Sequence, residues 1–503
     1  MPKIKEILKR LEKSNNLTQM LDYNAKINTN KTFLVFNKHS ITFNQTNELV
    51  NNCCSYLVSK NLKNQDIVSL VLKNSIEFII IYFACMKLNL RLNPLPYYLS
   101  PSSIKMSITF LKPKLIITDN SMSDRIGGKF RYCRFDNFKD FEKEINKLKN
   151  ITPKYKNKIN DVAMLYYSSG TTGKPKLIEY SHKAIIANQV DMIKTNFTNI
   201  KTVHLALLPL SHTAALRYTL KQAVCLGSKV FICESFWKIK QSFWKTVYKN
   251  KITFIGLVPS IVNYLMSMQK KFNKKLSKNI DFFGCGSFSL GKNLQTEFEK
   301  KFNVKLSNLY GLSEAGLTHF DNPNDKMRKI GSIGKVIGNK KIKILNKNKD
   351  LNGEIAIKSK TLFSGYYGNK LLYKKSFKNG YFLTGDLGFI DKNNYFFFQD
   401  RKKDIIIKGG INISSIEIEN TILRYSNIKE SAIIPVTDSF FGENILAFIT
   451  LKNKNINFNQ EILKKKLIKK LGYFKTPNEI RVIKDMPKTS NGKIKKILLK
   501  QYI

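Results

Sequence analysis

The sequence predicts an α/β fold in which parallel or mixed sheets are covered by helices, and three observations predict it. Strand-like apolar runs alternate with helical patterns through about the first 150 residues, the order that builds parallel sheets covered on both faces. A polar Gly/Ser/Thr loop near residue 170 is flanked by two short apolar runs, so it joins strands and does not open into a helix. The chain has 503 residues and is 43% hydrophobic, ample for a large core and for about two to four folding units.

Lys3 to Lys13 sets Ile4, Ile7, Leu8 and Leu11 on one helical face with lysines opposite. It reads as a lid helix on the core, with peripheral membrane contact as the alternative. Ile41-Thr42-Phe43 leads into a helix over Asn47 to Leu62. Ile67 to Leu72 reads as a buried strand, backed by a helix over Glu77 to Leu88. The most apolar part of that helix, Phe78 to Met86, lies between Glu77 and Lys87 and is too short to cross a bilayer, so no transmembrane segment is expected. Asn93-Pro94-Leu95-Pro96 is a turn or an extended segment, and Leu115 to Asp119 is a further strand. This region displays no chemistry.

The loop itself is Ser168-Ser169-Gly170-Thr171-Thr172-Gly173-Lys174-Pro175-Lys176, between a strand over Asp161 to Leu165 and a second over Leu177 to Tyr180. Gly170 and Gly173 let backbone N–H groups converge, the hydroxyls of Ser168, Ser169, Thr171 and Thr172 join them, and Lys174 and Lys176 add charge. That set suits a chain of phosphates. It differs from the Walker loop, which runs straight into a helix.

Lys and Arg number 86 against 36 Asp and Glu, a net charge of +50. The lysines are spread evenly, without a basic stripe interleaved with aromatics, a helix-turn-helix or zinc-ligand spacing. Nucleic acid is therefore not expected as a partner, while the positive potential favours anionic ligands. The seven cysteines are odd in number and form no C-x-x-C pair, which reads as a reduced, cytoplasmic protein with buried thiols.

The loop resembles the phosphate loop of the adenylate-forming superfamily, in its acyl-CoA synthetase branch, and further motifs follow in that family's order. Leu207-Leu208-Pro209-Leu210-Ser211-His212 resembles L-P-L-x-H, which implies a place for His212 beside the acyl group and the α-phosphate. Ala214, Ala215 and Leu216 then start a helix lining the acyl pocket. Arg217 interrupts them and is read as facing solvent, with a polar substrate group as the alternative. Phe283-Gly284-Cys285-Gly286-Ser287 stands where the family carries small residues, so Gly286 and Ser287 are expected near adenine. Asn308-Leu309-Tyr310-Gly311-Leu312-Ser313-Glu314 matches Y-G-x-[ST]-E. The resemblance implies that Tyr310 stacks on adenine, Ser313 bonds the α-phosphate and Glu314 holds Mg²⁺. Gly331-Ser332-Ile333-Gly334 and Gly353-Glu354-Ile355 resemble further family turns. Gly380 to Asp386 resembles G-[WY]-x-x-T-G-D, with Asp386 on the ribose hydroxyls. Asp400-Arg401-Lys402-Lys403-Asp404 resembles the family hinge, with Asp400 in place of Gly, Arg401 reaching the ribose and Lys403 as pivot. Lys408-Gly409-Gly410 offers two residues without Cβ for close approach by a coenzyme A arm, and one cation for a phosphate. Pro487 to Ile494 matches P-K-T-x-x-G-K-[IL], whose second lysine, here Lys493, enters the active site. Leu177 stands where the family has Gly, a departure expected to disturb packing of the second strand.

The resemblance implies a large N-terminal ATP- and acyl-binding domain over residues 1–400, and a small, mobile α+β C-terminal domain over 401–503 that carries the catalytic Lys493. It implies an AMP-forming carboxylate–CoA ligase using ATP, Mg²⁺ and coenzyme A. Ala214, Ala215, Leu216, Leu257 and Val258 suggest an apolar wall and hence a fatty or other hydrophobic acid. The alternatives are an adenylating enzyme that loads an acyl or amino-acid carrier protein, a luciferase-like oxygenase, and, in a different class, a basic nucleic-acid-binding protein.

Overall fold

The computed structural model describes residues 4–148, 157–168, 176–268, 272–286, 290–346, 352–409, 411–453, 458–488 and 494–503. The chain divides into two compact units, Met1–Lys341 with Ile357–Phe382, and Ile342–Ala356 with Leu383–Ile503.

Two sheets organise the first unit. Among the described residues one has nine strands and the other seven. In the seven-stranded sheet the strand Ile67–Val71 pairs in parallel with Arg91–Pro94 and with Leu115–Thr118. The helix Ile76–Lys87 is apolar on all sides, and Ile76 to Met86 are buried all round, as befits a helix in the centre of a core. Parallel pairing also runs through the nine-stranded sheet, from Phe254–Leu257 to Phe282–Gly286 and on to Leu306–Leu312.

The helix expected over residues 47–62 spans Phe43–Ser59. Its early start has a local cause. The Thr42 hydroxyl accepts from the Gln45 N–H at 3.2 Å, and the Gln45 side chain accepts from the Thr42 N–H at 2.9 Å, a reciprocal capping box that fixes the first turn. The N-terminal helix Ile4–Glu12 buries Ile7 and Leu11 in the main core.

In the second unit, Ile428–Asp438 and Gly442–Leu451 form a long antiparallel pair, which the strand Glu479–Val482 joins in parallel. The helices Ser415–Ile422 and Gln460–Leu471 contribute Ile418, Ile422, Leu463 and Leu467 to its core. All seven cysteines are buried free thiols, and burial pushes Cys54 and Cys233 up to about 12. Among the described residues no helix is long and apolar enough to cross a membrane.

Candidate functional site

The polar loop does join two strands. Val162–Ser168 and Lys176–Ser181 are antiparallel neighbours, with Ser168 opposite Lys176. Ser169, Gly170, Thr171, Thr172, Gly173 and Lys174 lie outside the described residues. Leu177 does not disturb the second strand. It pairs with Tyr167, is buried with Ile67, Leu111 and Leu165, and its carbonyl accepts from the Tyr367 N–H at 2.9 Å. A Leu is accommodated there because its side chain points into that small apolar cluster.

Lys176 and Glu314 converge on a residue that no motif marked. The ammonium of Lys176 lies 5.7 Å from the centre of the Tyr366 ring, and the Tyr366 hydroxyl donates to Glu314 Oε1 at 3.2 Å. Three backbone-anchored bonds set this arrangement. Gly365 and Tyr366 pair with Glu179 and Ile178, the Phe363 N–H donates to the Glu314 carbonyl at 2.7 Å, and Thr361 Oγ1 donates to the Ala315 carbonyl at 2.8 Å. The nearby Glu314 charge adds to burial in holding the Tyr366 phenol protonated.

Ser313 and Glu314 sit in the tight turn between Leu306–Leu312 and Gly316–Phe320. The turn depends on bare backbone. A Cβ on Gly311 would lie 2.2 Å from the Gly316 carbonyl oxygen, which no side chain survives. Gly286 is equally constrained, with the Leu309 carbonyl oxygen 2.8 Å from the place of a Cβ; Ser287 lies outside the described residues. Tyr310 is half-buried, its ring edge-on to His319 at 5.3 Å. Asn308 is buried, and its side-chain amide donates to the Ser332 carbonyl at 3.2 Å. The Gly331–Gly334 turn thus serves to hold the strand that bears Tyr310, and Leu309 packs beneath it in the core.

His212 stands out among the five histidines. Burial lowers His182 to about 4, and His204 and His319 to about 3, so these three are neutral core residues; His39 is an exposed strand residue. His212 is half-buried just before the helix Thr213–Leu216, and its Nε2 shares a hydrogen bond with the Tyr98 hydroxyl. Asn74 braces the preceding loop, donating to the Leu208 carbonyl at 3.0 Å and accepting from the Leu210 N–H at 2.7 Å.

The helix after His212 overturns one expectation. Arg217 does not face solvent: it is 6% exposed and begins a turn of π-helix, Arg217–Lys221. It borders a small pocket also lined by Tyr166, Tyr180, Asn188, Gln189, Thr213 and Lys221. The apolar wall is not continuous either. Leu216 belongs to the main core, Leu257 and Val258 to a second cluster, and Ala214 to a third.

The second unit carries the remaining residues. Asp386 and Arg401 face one another across Tyr381–Ile390 and Phe396–Arg401, with Arg401 Nε 2.9 Å from Asp386 Oδ1. Glu354 fixes the strand backbone before Asp386: its Oε1 accepts from the Gly385 N–H at 3.0 Å and its Oε2 is 3.1 Å from Lys402. Gly385 sits at φ +70°, a conformation that glycine adopts without strain. Asp400 is fully buried. Its Oδ2 accepts from the Ser414 hydroxyl at 2.8 Å, the Ser415 hydroxyl at 3.2 Å and the Ile416 N–H at 3.2 Å. The residue in place of Gly therefore supports the Ser414 cap of the helix Ser415–Ile422 and accepts from its first turn, where a carboxylate also meets the positive end of the helix dipole. Lys403 is exposed in the short turn Lys402–Asp404.

Lys408 departs from expectation. Its ammonium is not presented for a phosphate. It is buried, bonded to Asn478 Oδ1 at 3.0 Å and set 5.5 and 5.2 Å from the ring centres of Phe441 and Phe474. Gly409 has φ +54°, and a Cβ there would meet both of those rings at 3.2 Å. Gly410 and Lys493 lie outside the described residues; Lys488 and Ile494, near the two ends of the latter's motif, pair in antiparallel fashion.

Comparison with known proteins accounts for the arrangement. Residues 21–367 match the model of the AMP-binding enzyme family, and residues 417–493 match that of the AMP-binding enzyme C-terminal domain. The 2-succinylbenzoate–CoA ligase of Listeria innocua is 26% identical over 490 residues, 96% of this chain and 99% of that ligase. The sulfoacetate–CoA ligase of Cupriavidus necator is 29% identical over 343 residues, 67% of this chain and 66% of its own length. The crystal structure of ATP-bound MatB from Rhodopseudomonas palustris superposes with a TM-score of 0.87 at 22% identity, covering 97% of this chain and 99% of the other.

Proposed function

The chain belongs to the AMP-binding enzyme family, and from that premise we propose how its residues perform the reaction of an acid–thiol ligase. A carboxylate attacks the α-phosphorus of ATP, forming acyl-adenylate and releasing pyrophosphate. The thiol of coenzyme A then attacks the acyl carbon, forming the thioester and releasing AMP. No side chain is acylated, so the protein's contribution is positioning and charge stabilisation.

The observation that carries this reading is the meeting of Lys176 and Glu314 at Tyr366. An ammonium for phosphate oxygens and a fixed carboxylate occupy one locality at the end of the loop strands. Magnesium fits the donor set, since it takes one or two carboxylates, keeps several waters and completes its shell with substrate phosphates. When bound it would be held by Glu314 and would neutralise phosphate charge. In the same reading Ser168 to Lys176 cradle the phosphates, Tyr310 and Gly286 flank adenine, and Ser313 bonds the α-phosphate. His212 adjoins the acyl carboxyl, Asp386 and Arg401 take the ribose, and Lys493 neutralises charge where carboxylate and α-phosphate converge. Lys403 is the hinge between residues 1–400 and 401–503, and Gly409 gives the coenzyme A arm its close approach. The buried free thiols support a cytoplasmic setting.

The finer expectation of a fatty or hydrophobic acid rested on Ala214, Ala215, Leu216, Leu257 and Val258. Their division among separate cores gives it little support. Pyrophosphate release from MgATP, assayed with a panel of carboxylic acids in the presence of coenzyme A, tests the proposal. Acid-dependent release with AMP as co-product is expected. ADP as product, or loading of a purified carrier protein while coenzyme A is ignored, would replace it with another reading.

A further inference from the structure

The pocket bordered by Thr213, the residue after His212, is cationic and, among the described residues, lacks a counter-charge. Arg217 and Lys221 are 6% and 5% exposed, one helical turn apart on the same wall. Among the described residues no carboxylate forms an ion pair with either. The acids that could have done so are engaged: Asp191 pairs with Lys340, and Glu314 accepts from Tyr366. What the two cations do touch is aromatic. The guanidinium lies 5.7 Å from the Tyr218 ring centre, and Lys221 Nζ is 3.2 Å from the Tyr166 hydroxyl.

Burying one unpaired charge costs several kcal/mol, and a second like charge beside it adds repulsion. Burial, with Arg217 behind it, pulls Lys221 down to about 7. A further polar group is unspent. Gln189 Oε1 accepts from Gln222 at 2.8 Å, but its Nε2, on the cavity wall and fully buried, has no partner among the described residues. Three donors, two of them cationic, thus line a space that begins at Thr213, the residue after His212. The π-helical turn Arg217–Lys221 places both cations on that wall, and such turns recur at functional sites.

We propose that this cavity receives a second anionic group, a carboxylate or sulfonate, on the far end of the acid that is activated beside His212. The inference rests on the ligase reading and narrows it: the substrate is a short acid carrying two anionic groups. One end is adenylated. The other is held by Arg217, Lys221 and Gln189, with Asn188, Tyr166 and Tyr180 completing the wall. Specificity follows from desolvation, because a monoacid leaves both cations buried and unpaired, and sites built around buried polar partners strongly reject ligands that lack them.

The test compares dianionic acids (malonate, succinate, glutarate, a short sulfonated acid) with monoanionic ones (butyrate, hexanoate, benzoate). Pyrophosphate release is read for the wild type, Arg217→Gln and Lys221→Met. A kcat/KM preference of about 10²-fold or more for one of the diacids is expected in the wild type, and its collapse in Arg217→Gln through loss of turnover on that diacid. A wild-type preference for hexanoate or benzoate, or a ratio unmoved by Arg217→Gln, would overturn the subsite and leave the ligase standing. Thermal shift without ATP gives a reading independent of turnover. The diacid should raise the melting temperature of the wild type and not of Arg217→Gln. No shift with any diacid, or an equal shift with inorganic sulfate, would overturn the assignment. Arg217→Met without acid should be at least as stable as the wild type, since it removes an unpaired buried charge; marked destabilisation would make Arg217 structural and sink the proposal. Absence of pyrophosphate release with every acid would count against the ligase reading, and the thermal shifts would still decide the cavity.

Discussion

Tyr366 donates its hydroxyl to Glu314 across 3.2 Å while Lys176 lies over the same ring. The phenol orients the Glu314 carboxylate, and it does so from a strand pinned to Glu179 and Ile178.

Tyr366→Phe should therefore act on chemistry more than on folding. The ring keeps its contact with Phe363 at 4.8 Å between centres, and only one hydrogen bond to a charged group disappears. That loss is worth about 1.5–3 kcal/mol, or roughly 10- to 100-fold in pyrophosphate release. Steady-state kinetics at varied MgATP would measure it, and a fall in melting temperature without a fall in turnover would contradict the role.

Asp386→Asn removes the charge that holds Arg401. The amide can still accept a hydrogen bond, so the strand pair should persist. AMP affinity by calorimetry should fall about 10-fold or more, the cost of losing a charge-assisted bond, with circular dichroism unchanged.

Gly409→Leu tests the thioester step. The substitution forces a branched residue to φ +54° and into Phe441 and Phe474. A cost of about 1–3 kcal/mol to the second unit is expected from the backbone conformation. Pyrophosphate exchange should remain near normal while the KM for coenzyme A rises. Equal loss of both half-reactions would assign Gly409 to folding alone.

Lys493→Ala separates the half-reactions from the other side. Loss of one transition-state donor should slow adenylation by about 10² or more. Thioester formation from supplied acyl-adenylate should be largely retained, and single-turnover assays of each step would show it.

Acid should unfold the protein for a reason visible in its core. His182, His204 and His319 have folded-state pKa values near 3–4, below the ordinary 6.5. Below pH 6.5 the unfolded chain binds protons that the folded core refuses, so their contribution, complete above 6.5, is lost as pH falls toward 3–4. Each histidine contributes a slope of about 1.4 kcal/mol per pH unit in that window. Denaturant titrations at pH 7 and 5 should show the drop, and His204→Asn should reduce the slope by roughly a third.

The motifs were legible because each is a contiguous string whose neighbours share one turn. Ser313 and Glu314 arrive together in a turn, and Thr384 and Asp386 on one strand. Their supports were not legible, because they come from distant sequence. Tyr366 lies 52 residues from Glu314, and Tyr98 lies 114 from His212. Glu354 was marked only as part of a weak turn motif, and its grip on Gly385 and Lys402 required the strands to be in register. Arg217 was misread as solvent-facing because burial of an unpaired guanidinium is the exception to the usual cost of charge desolvation. The early start of the Phe43–Ser59 helix was readable in principle, since Thr42 and Gln45 stand at capping-box spacing.

The sequestered sulfurs have a practical corollary. All seven are buried in the folded protein, so a chromogenic disulfide dye would react chiefly with the coenzyme. Free coenzyme A could be titrated in quenched samples, its colour yield falling as turnover proceeds, with no blank for the catalyst. A sudden surge of colour would then announce denaturation, up to seven equivalents per chain, and the enzyme would carry its own integrity gauge into every assay.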